Sequence, residues 1–197
     1  FKYSPLKKRI MFFLSPVSIM NAFDGNIIKK YDEFVNTYGW GELTNINFNT
    51  VKNLTIPKSV KTIGDNAFRD CKSIEKVTIS DGVKEIGENA FCGCESLKQI
   101  NIPNSVTSIG KNAFNGCTSL EKITIPNSIT SINWGTFGRC ESLKEVKIPN
   151  SVKEICDHAF SGCTSLEEIT IPDGVKCINI GILGACRSIK KINIPNS

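Results

Sequence analysis

A proline recurs every 23 residues along most of this chain, at Pro57, Pro103, Pro126, Pro149, Pro172 and Pro195, with Ser80 in the one place where it is missing. A period of that length restricts the chain to architectures that stack one supersecondary unit on the next, because so short a unit cannot cover its own apolar side chains. Six complete units run from residue 57 to residue 194.

Within each unit the apolar residues keep phase. Val60, Val83, Val106, Ile129, Val152 and Val175 are each followed three residues later by isoleucine, from Ile63 to Ile178. Then come Phe68, Phe91, Phe114, Phe137, Phe160 and finally Leu183, then a cysteine, then Ile74, Leu97, Leu120, Leu143, Leu166 and Ile189. These positions are expected to point inward, each side chain contributing roughly 1.5–3 kcal/mol on burial before entropy is subtracted. The unit closes on an alternating segment such as Val77-Thr78-Ile79 or Ile123-Thr124-Ile125, whose period of two and β-branching favour a strand. The following proline cannot donate to a continuing ladder and so turns the chain. Gly64, Gly87 and Gly110 suggest a second turn. Seven parallel strands at about 4.8 Å spacing make a sheet roughly 30 Å long.

The segment from Pro103 to Ile125 shows the whole pattern: Pro-x-Ser-Val-x-x-Ile-Gly-x-x-Ala-Phe-x-x-Cys-x-Ser-Leu-x-x-Ile-x-Ile. It resembles the BspA-like leucine-rich repeats, and the resemblance covers about residues 51 to 197. It implies a leucine-rich-repeat-type β solenoid of 23-residue coils with a parallel sheet. It also implies a non-enzymatic role in protein–protein interaction, as part of a surface or secreted adhesin. An intracellular scaffold or structural subunit of a larger assembly, and hence a cytoplasmic location, is the alternative. Fold alone does not decide between them.

Residues 1–50 lose the repeat phase and are expected to form an N-terminal cap or anchor segment, with residues 51–197 the solenoid. Ile27, Ile28, Tyr31, Phe34, Val35 and Tyr38 fit one helical face, and Leu43, Ile46 and Phe48 fit a strand covering the first coil. The run Ile10–Leu14 after Lys7-Lys8-Arg9 has the charge-then-apolar order of a signal segment, but Ser15 and Pro16 interrupt it. It is too short to span a bilayer. Pro195-Asn196-Ser197 open a further unit, so the repeat is expected to continue.

Charge excludes one class of partner. The 24 basic and 19 acidic residues are interspersed, and a net charge of +5 so dispersed gives no nucleic-acid track. Six of the nine cysteines, Cys71, Cys94, Cys117, Cys140, Cys163 and Cys186, are 23 residues apart. A disulfide framework has no reason to be periodic, so these read as small buried thiols, although adjacent coils are close enough for a bridge. Cys92, Cys156 and Cys177 lie off that column and are expected to be the reactive ones. Cys92 and Cys94 lack a partner pair at zinc spacing, and no metal or cofactor is expected. The single histidine, His158, falls where other units carry Asn66, Asn89 and Asn112, and reads as a surface residue.

Two surfaces remain as candidates for a protein partner. Thr55, Thr78, Asn101, Thr124, Lys147, Thr170 and Asn193 take the outward position of successive strands and should line the concave face. Trp134 and Ile180 replace the charged residues Asp65, Glu88, Lys111 and Asp157 of other units. They are either a binding hot spot or a local repacking with Gly135, Thr136, Ile182 and Leu183.

Overall fold

The computed structural model describes residues 51–58 and 60–194. The expected cap over residues 1–50, with its helix, strand and signal-like run, lies outside them, as does the start of the next unit at residues 195–197.

Each coil presents two strand segments. The longer ones are β1 (Asn53–Ile56), β3 (Lys76–Ile79), β5 (Gln99–Asn101), β7 (Lys122–Thr124), β9 (Glu145–Lys147), β11 (Glu168–Thr170) and β13 (Lys191–Asn193). Two-residue strands alternate with them: β2 (Thr62–Ile63), β4 (Glu85–Ile86), β6 (Ser108–Ile109), β8 (Ser131–Ile132), β10 (Glu154–Ile155) and β12 (Cys177–Ile178). All pairings are parallel with a register of one repeat, as in Thr55 against Thr78 and Ile155 against Ile178. Unequal lengths follow from the residues. The long strand carries two outward polar positions about its buried aliphatic, whereas the short one is bounded by the proline turn before it and a tight turn after it. In that proline turn the Val106 amide donates to the Pro103 carbonyl at 3.1 Å, and the same bond recurs at Val60, Ile129, Val152 and Val175.

A third ladder joins the coils through segments that are not strands. The amides of Asn66, Phe68 and Asp70 donate to the carbonyls of Glu88, Ala90 and Cys92 at 2.7–2.8 Å, and equivalents recur along the stack. Two positions there are left-handed in every coil: Asn66, Asn89, Asn112, Gly135, His158 and Gly181, with φ between 52° and 66°, and Asp70, Gly93, Gly116, Arg139, Gly162 and Ala185, with φ between 55° and 78°. Glycine takes this region freely and asparagine more readily than most residues, which accounts for the composition of the first column. The turn expected at Gly64, Gly87 and Gly110 therefore has its handedness set two residues later. Gly87 and Gly110 serve close approach instead: a Cβ on Gly110 would lie 2.5 Å from the Glu88 amide nitrogen. From the fourth coil on, Asn133, Cys156 and Asn179 take that place.

The interior is a set of columns. Phe68, Phe91, Phe114, Phe137 and Phe160 stack with ring centroids 5.2–5.6 Å apart and planes within 15° of parallel. Such offset pairs add about 0.5–1.5 kcal/mol beyond area burial. Beside them the thiols of Cys94, Cys117, Cys140, Cys163 and Cys186 each donate to the carbonyl of the phenylalanine 26 residues earlier, at 3.1–3.3 Å. All nine cysteines are free. The column thus uses cysteine as a small apolar filler that also satisfies a backbone carbonyl. Thr136, where four of the other coils have alanine and the sixth has Ile182, is buried and returns its hydroxyl to the Asn133 carbonyl at 2.8 Å. The inward pattern weakens at Ile148, which is half-buried, and most in the sixth coil, where Val175, Leu183, Cys186 and Ile189 are half-buried and Ile178 is exposed.

Candidate interaction surfaces

The long strands bring the seven outward residues into one row. Thr55 lies against Thr78 and Thr78 against Asn101, Thr124 against Lys147, and Thr170 against Asn193. Thr78 and Asn193 are half-buried and the other five exposed. The side chains of Thr55, Thr78, Asn101 and Thr124 form no hydrogen bond with any described residue. The Asn193 amide donates to the Thr170 hydroxyl at 3.0 Å and to Glu168 Oε1 at 2.7 Å. The row is therefore a strip of hydroxyl and amide groups, largely unspent as donors and acceptors, with the Lys147 ammonium within it and strand pairing broken between Asn101 and Thr124 and between Lys147 and Thr170.

Lysines and glutamates run beside it. Summed along the chain their signs nearly cancel; read by repeat position they alternate without exception, as Lys52, Glu75, Lys98, Glu121, Lys144, Glu167 and Lys190. Glu75 bridges both neighbours, at 3.1 Å to Lys52 and 3.0 Å to Lys98, and Lys190 meets Glu167 at 2.9 Å. Hydrogen bonds from Lys98 and Lys52 hold the Glu75 carboxyl below its ordinary pKa, and bonds from Lys191 and Asn193 do the same for Glu168. One residue type per column would stack like charges coil upon coil; alternation replaces repulsion with attraction. Comparing repeat positions rather than counting charges is what exposes the pattern.

Trp134 and Ile180 sit in a different turn. Trp134 is 43% exposed and Ile180 82%. They do not meet: Asp157 and His158 of the intervening coil lie between them. The imidazole of His158 packs edge-on against Trp134, with centroids 5.7 Å apart and planes at 79°. Ile180 is tied to the same coil by its amide, which donates to Asp157 Oδ1 at 2.8 Å, and by its carbonyl, which accepts from the His158 amide at 3.3 Å. A Cβ on Gly181 would lie 3.0 Å from the His158 ring, so glycine there leaves the imidazole its space. His158 is thus part of the patch rather than an isolated surface residue. Its placement between two altered coils was the available signal.

Thiol reactivity is distributed differently from the off-column expectation. Burial raises the pKa of Cys92 and Cys156, and only Cys177 of that group is exposed. Within the column, burial pushes Cys140 up to about 12 and Cys94 and Cys117 well above the ordinary thiol value. Half-buried Cys186 departs: the neighbouring Cys163 thiol lowers its pKa, while the same neighbour and burial raise that of Cys163. No cluster of three or more His, Cys, Asp or Glu side chains that could hold a metal occurs among the described residues. Nor is any helix among them long and apolar enough to cross a membrane.

Comparison with known proteins adds to this geometry. The family pattern of the BspA-type leucine-rich repeat region matches in six copies over residues 44–160 and 131–197. Among solved structures, a leucine-rich repeat protein of T. pallidum is 34% identical with a TM-score of 0.70, over 72% of this chain and 68% of that one. A leucine-rich cell surface protein of Faecalibacterium prausnitzii is 40% identical with a TM-score of 0.68, over 73% of this chain and 38% of that one. A leucine-rich repeat protein of Bacteroides ovatus is 37% identical with a TM-score of 0.71, over 77% of this chain and 39% of that one. The chain thus spans about two thirds of the first and under two fifths of the other two. No curated protein matches.

Proposed function

The chain belongs to the BspA-type leucine-rich repeat family, and from that premise we propose that it is a protein-interaction module that presents its long-strand face to a partner, as part of a surface or secreted adhesin. The observation that carries this is the row from Thr55 to Asn193: seven polar outward side chains in parallel register within three groups of paired strands, of which Thr55, Thr78, Asn101 and Thr124 have no hydrogen-bond partner among the described residues. Repeat proteins use such extended faces because each coil adds contact area without a new core. The Faecalibacterium relative, described as a cell surface protein, supports the location. Trp134 with His158 and Ile180 forms a second, smaller surface, since a partly exposed tryptophan offers a large rigid contact at low entropic cost.

The test is direct binding of the tagged chain to a panel of immobilised host surface and matrix proteins, beside the Thr124→Glu and Trp134→Ala variants. Binding that falls at least tenfold in Thr124→Glu places the partner on the sheet face, and a selective fall in Trp134→Ala places it on the turn patch. Binding unchanged in both removes both surfaces. A cytoplasmic scaffold is the second reading, favoured by column thiols that pack as S–H donors rather than as bridges. Counting free thiols in protein taken from its native source separates the two, because several disulfides would contradict a reducing compartment.

A further inference from the structure

Asn53-Leu54-Thr55 is the one complete Asn-x-Ser/Thr tripeptide in the sequence with a residue other than proline in the middle. The repeat itself works against such tripeptides. Two residues after Asn66, Asn89 and Asn112 comes the core phenylalanine, after Asn104, Asn127 and Asn150 the core valine or isoleucine, and after Asn101 and Asn193 the turn proline. The later long strands do offer a hydroxyl, at Thr78, Thr124 and Thr170, but the residue two before it is Lys76, Lys122 or Glu168. Only the first long strand has asparagine in that column.

Such a tripeptide arises often by chance, and its placement is what gives it weight. Exposure alternates along β1, so Asn53 and Thr55 project from the same side while Leu54 is 3% exposed beneath them. Both outward side chains are exposed, and neither is hydrogen-bonded to any described residue. Among the described residues β1 ends its three-stranded sheet, pairing with β3 alone. Its neighbours in register are Lys76 and Thr78, whose side chains also lie on the outward side. A bulky substituent on the Asn53 amide therefore displaces no core residue and breaks no hydrogen bond among the described residues.

Resting on the surface or secreted reading, we infer that Asn53 is an N-glycosylation site, carrying an oligosaccharide transferred from a lipid-diphosphate donor along the secretory route. In the transfer Asn53 Nδ2 attacks the anomeric carbon of the donor sugar. The new N–C bond replaces the C–O bond to the diphosphate, which leaves with that electron pair, and the amide gives up one proton to a base of the transferase. Thr55 is not consumed. Its hydroxyl lies on the same side of an extended chain as the Asn53 amide, so one enzyme surface can hold the first while it acts on the second. The glycan covers the Thr55 end of the outward row and leaves the positions from Asn101 to Asn193 for a partner.

The experiment is mass spectrometry of the protein purified from its native source. Trypsin, cutting after Lys52 and Lys58, releases the peptide from Asn53 to Lys58. Before deglycosylation that peptide is expected to be missing at its unmodified mass. After peptide-N-glycosidase in heavy-oxygen water it should appear with Asn53 converted to labelled aspartate. In a eukaryotic secretory host, wild type and Thr55→Ser should show a glycosidase-sensitive mobility shift, and Asn53→Gln and Thr55→Ala, confirmed folded by their melting curves, should lose it. A native peptide recovered wholly unmodified, absence of a wild-type shift, or a shift that survives Asn53→Gln overturns the inference. A membrane-impermeant amine reagent applied to intact native cells separates this result from the reading beneath it. If the protein is labelled or found in the medium while its Asn53 peptide is unmodified, the glycan falls and the surface or secreted location stands. If the protein is protected inside the cells and the peptide unmodified, both fall.

Discussion

Ile155 and Ile178 hold the same place in consecutive coils and pair with each other in register, yet the first is 0% exposed and the second 44%. Ile169 and Ile192 repeat the contrast at 1% and 46%. Nothing in the side chains differs. The fifth coil has a described coil on each flank and the sixth has one on its near flank only. In this architecture the environment of a residue is set by its position in the stack as much as by its identity, since nearest-neighbour interfaces supply the burial that a single coil lacks.

Substitution of the phenylalanine column strains that contrast hardest. Phe114→Ala, stacked on both faces by Phe91 and Phe137, should destabilise by about 3–5 kcal/mol in urea unfolding. Leu183→Ala, half-buried at the same position of the sixth coil, should cost less than half as much; equal costs would refute the account of burial by neighbours. Next in size, Ile155→Ala should cost about 2–5 kcal/mol and Ile178→Ala under about 1 kcal/mol, read from the same unfolding midpoints.

A backbone comparison sharpens the point at smaller amplitude. Gly110→Ala forces a Cβ toward the Glu88 amide and should cost more than about 1 kcal/mol. Asn179→Ala, where the sixth coil already carries a side chain, should stay within about 1 kcal/mol. Thiol labelling then reads the ends of the column without perturbing it. In native protein, maleimide should modify Cys177 and Cys186 before Cys94, Cys117 and Cys140, whose burial suppresses the thiolate. Uniform labelling rates would contradict the closed column.

The smallest effect is electrostatic. Glu75 and Glu168 have folded pKa values below their unfolded ones, so their contribution is complete above the unfolded value and is lost as pH falls through the folded value. Stability should therefore decline modestly on acidification through and below the ordinary carboxylate range, and less so in a Glu75→Gln variant. Glu168 is exposed and Glu75 half-buried, and surface pairs of this kind are individually weak. A pH profile of the melting temperature that is identical in wild type and variant would remove the charged column from the account of stability.

Much of this was legible before any coordinates. The proline spacing located the coils, the Phe and Cys columns named the core, and the alternation around Thr124 assigned the outward row, because a repeat exposes the role of a position by showing it several times. The left-handed turns were partly visible in the asparagine column at 66, 89 and 112, which His158 continues, but Arg139 and Ala185 hid the second column, as neither residue type favours that backbone conformation. Among the off-column thiols only Cys177 is exposed, while Cys186 shares its repeat position with deeply buried cysteines and differs from them only in its neighbours.

The sequence by itself thus determined the period, the fold class and which side of each strand faces in, since these follow from local periodicity and β-propensity. Only the tertiary structure decided what depends on contacts between coils. It revealed the third backbone ladder, the thiol-to-carbonyl bonds spanning 26 residues, and the meeting of Trp134 with His158. The physical reason is that residues 23 positions apart become neighbours only when the coils stack, and the energy of each such contact belongs to the pair rather than to either residue.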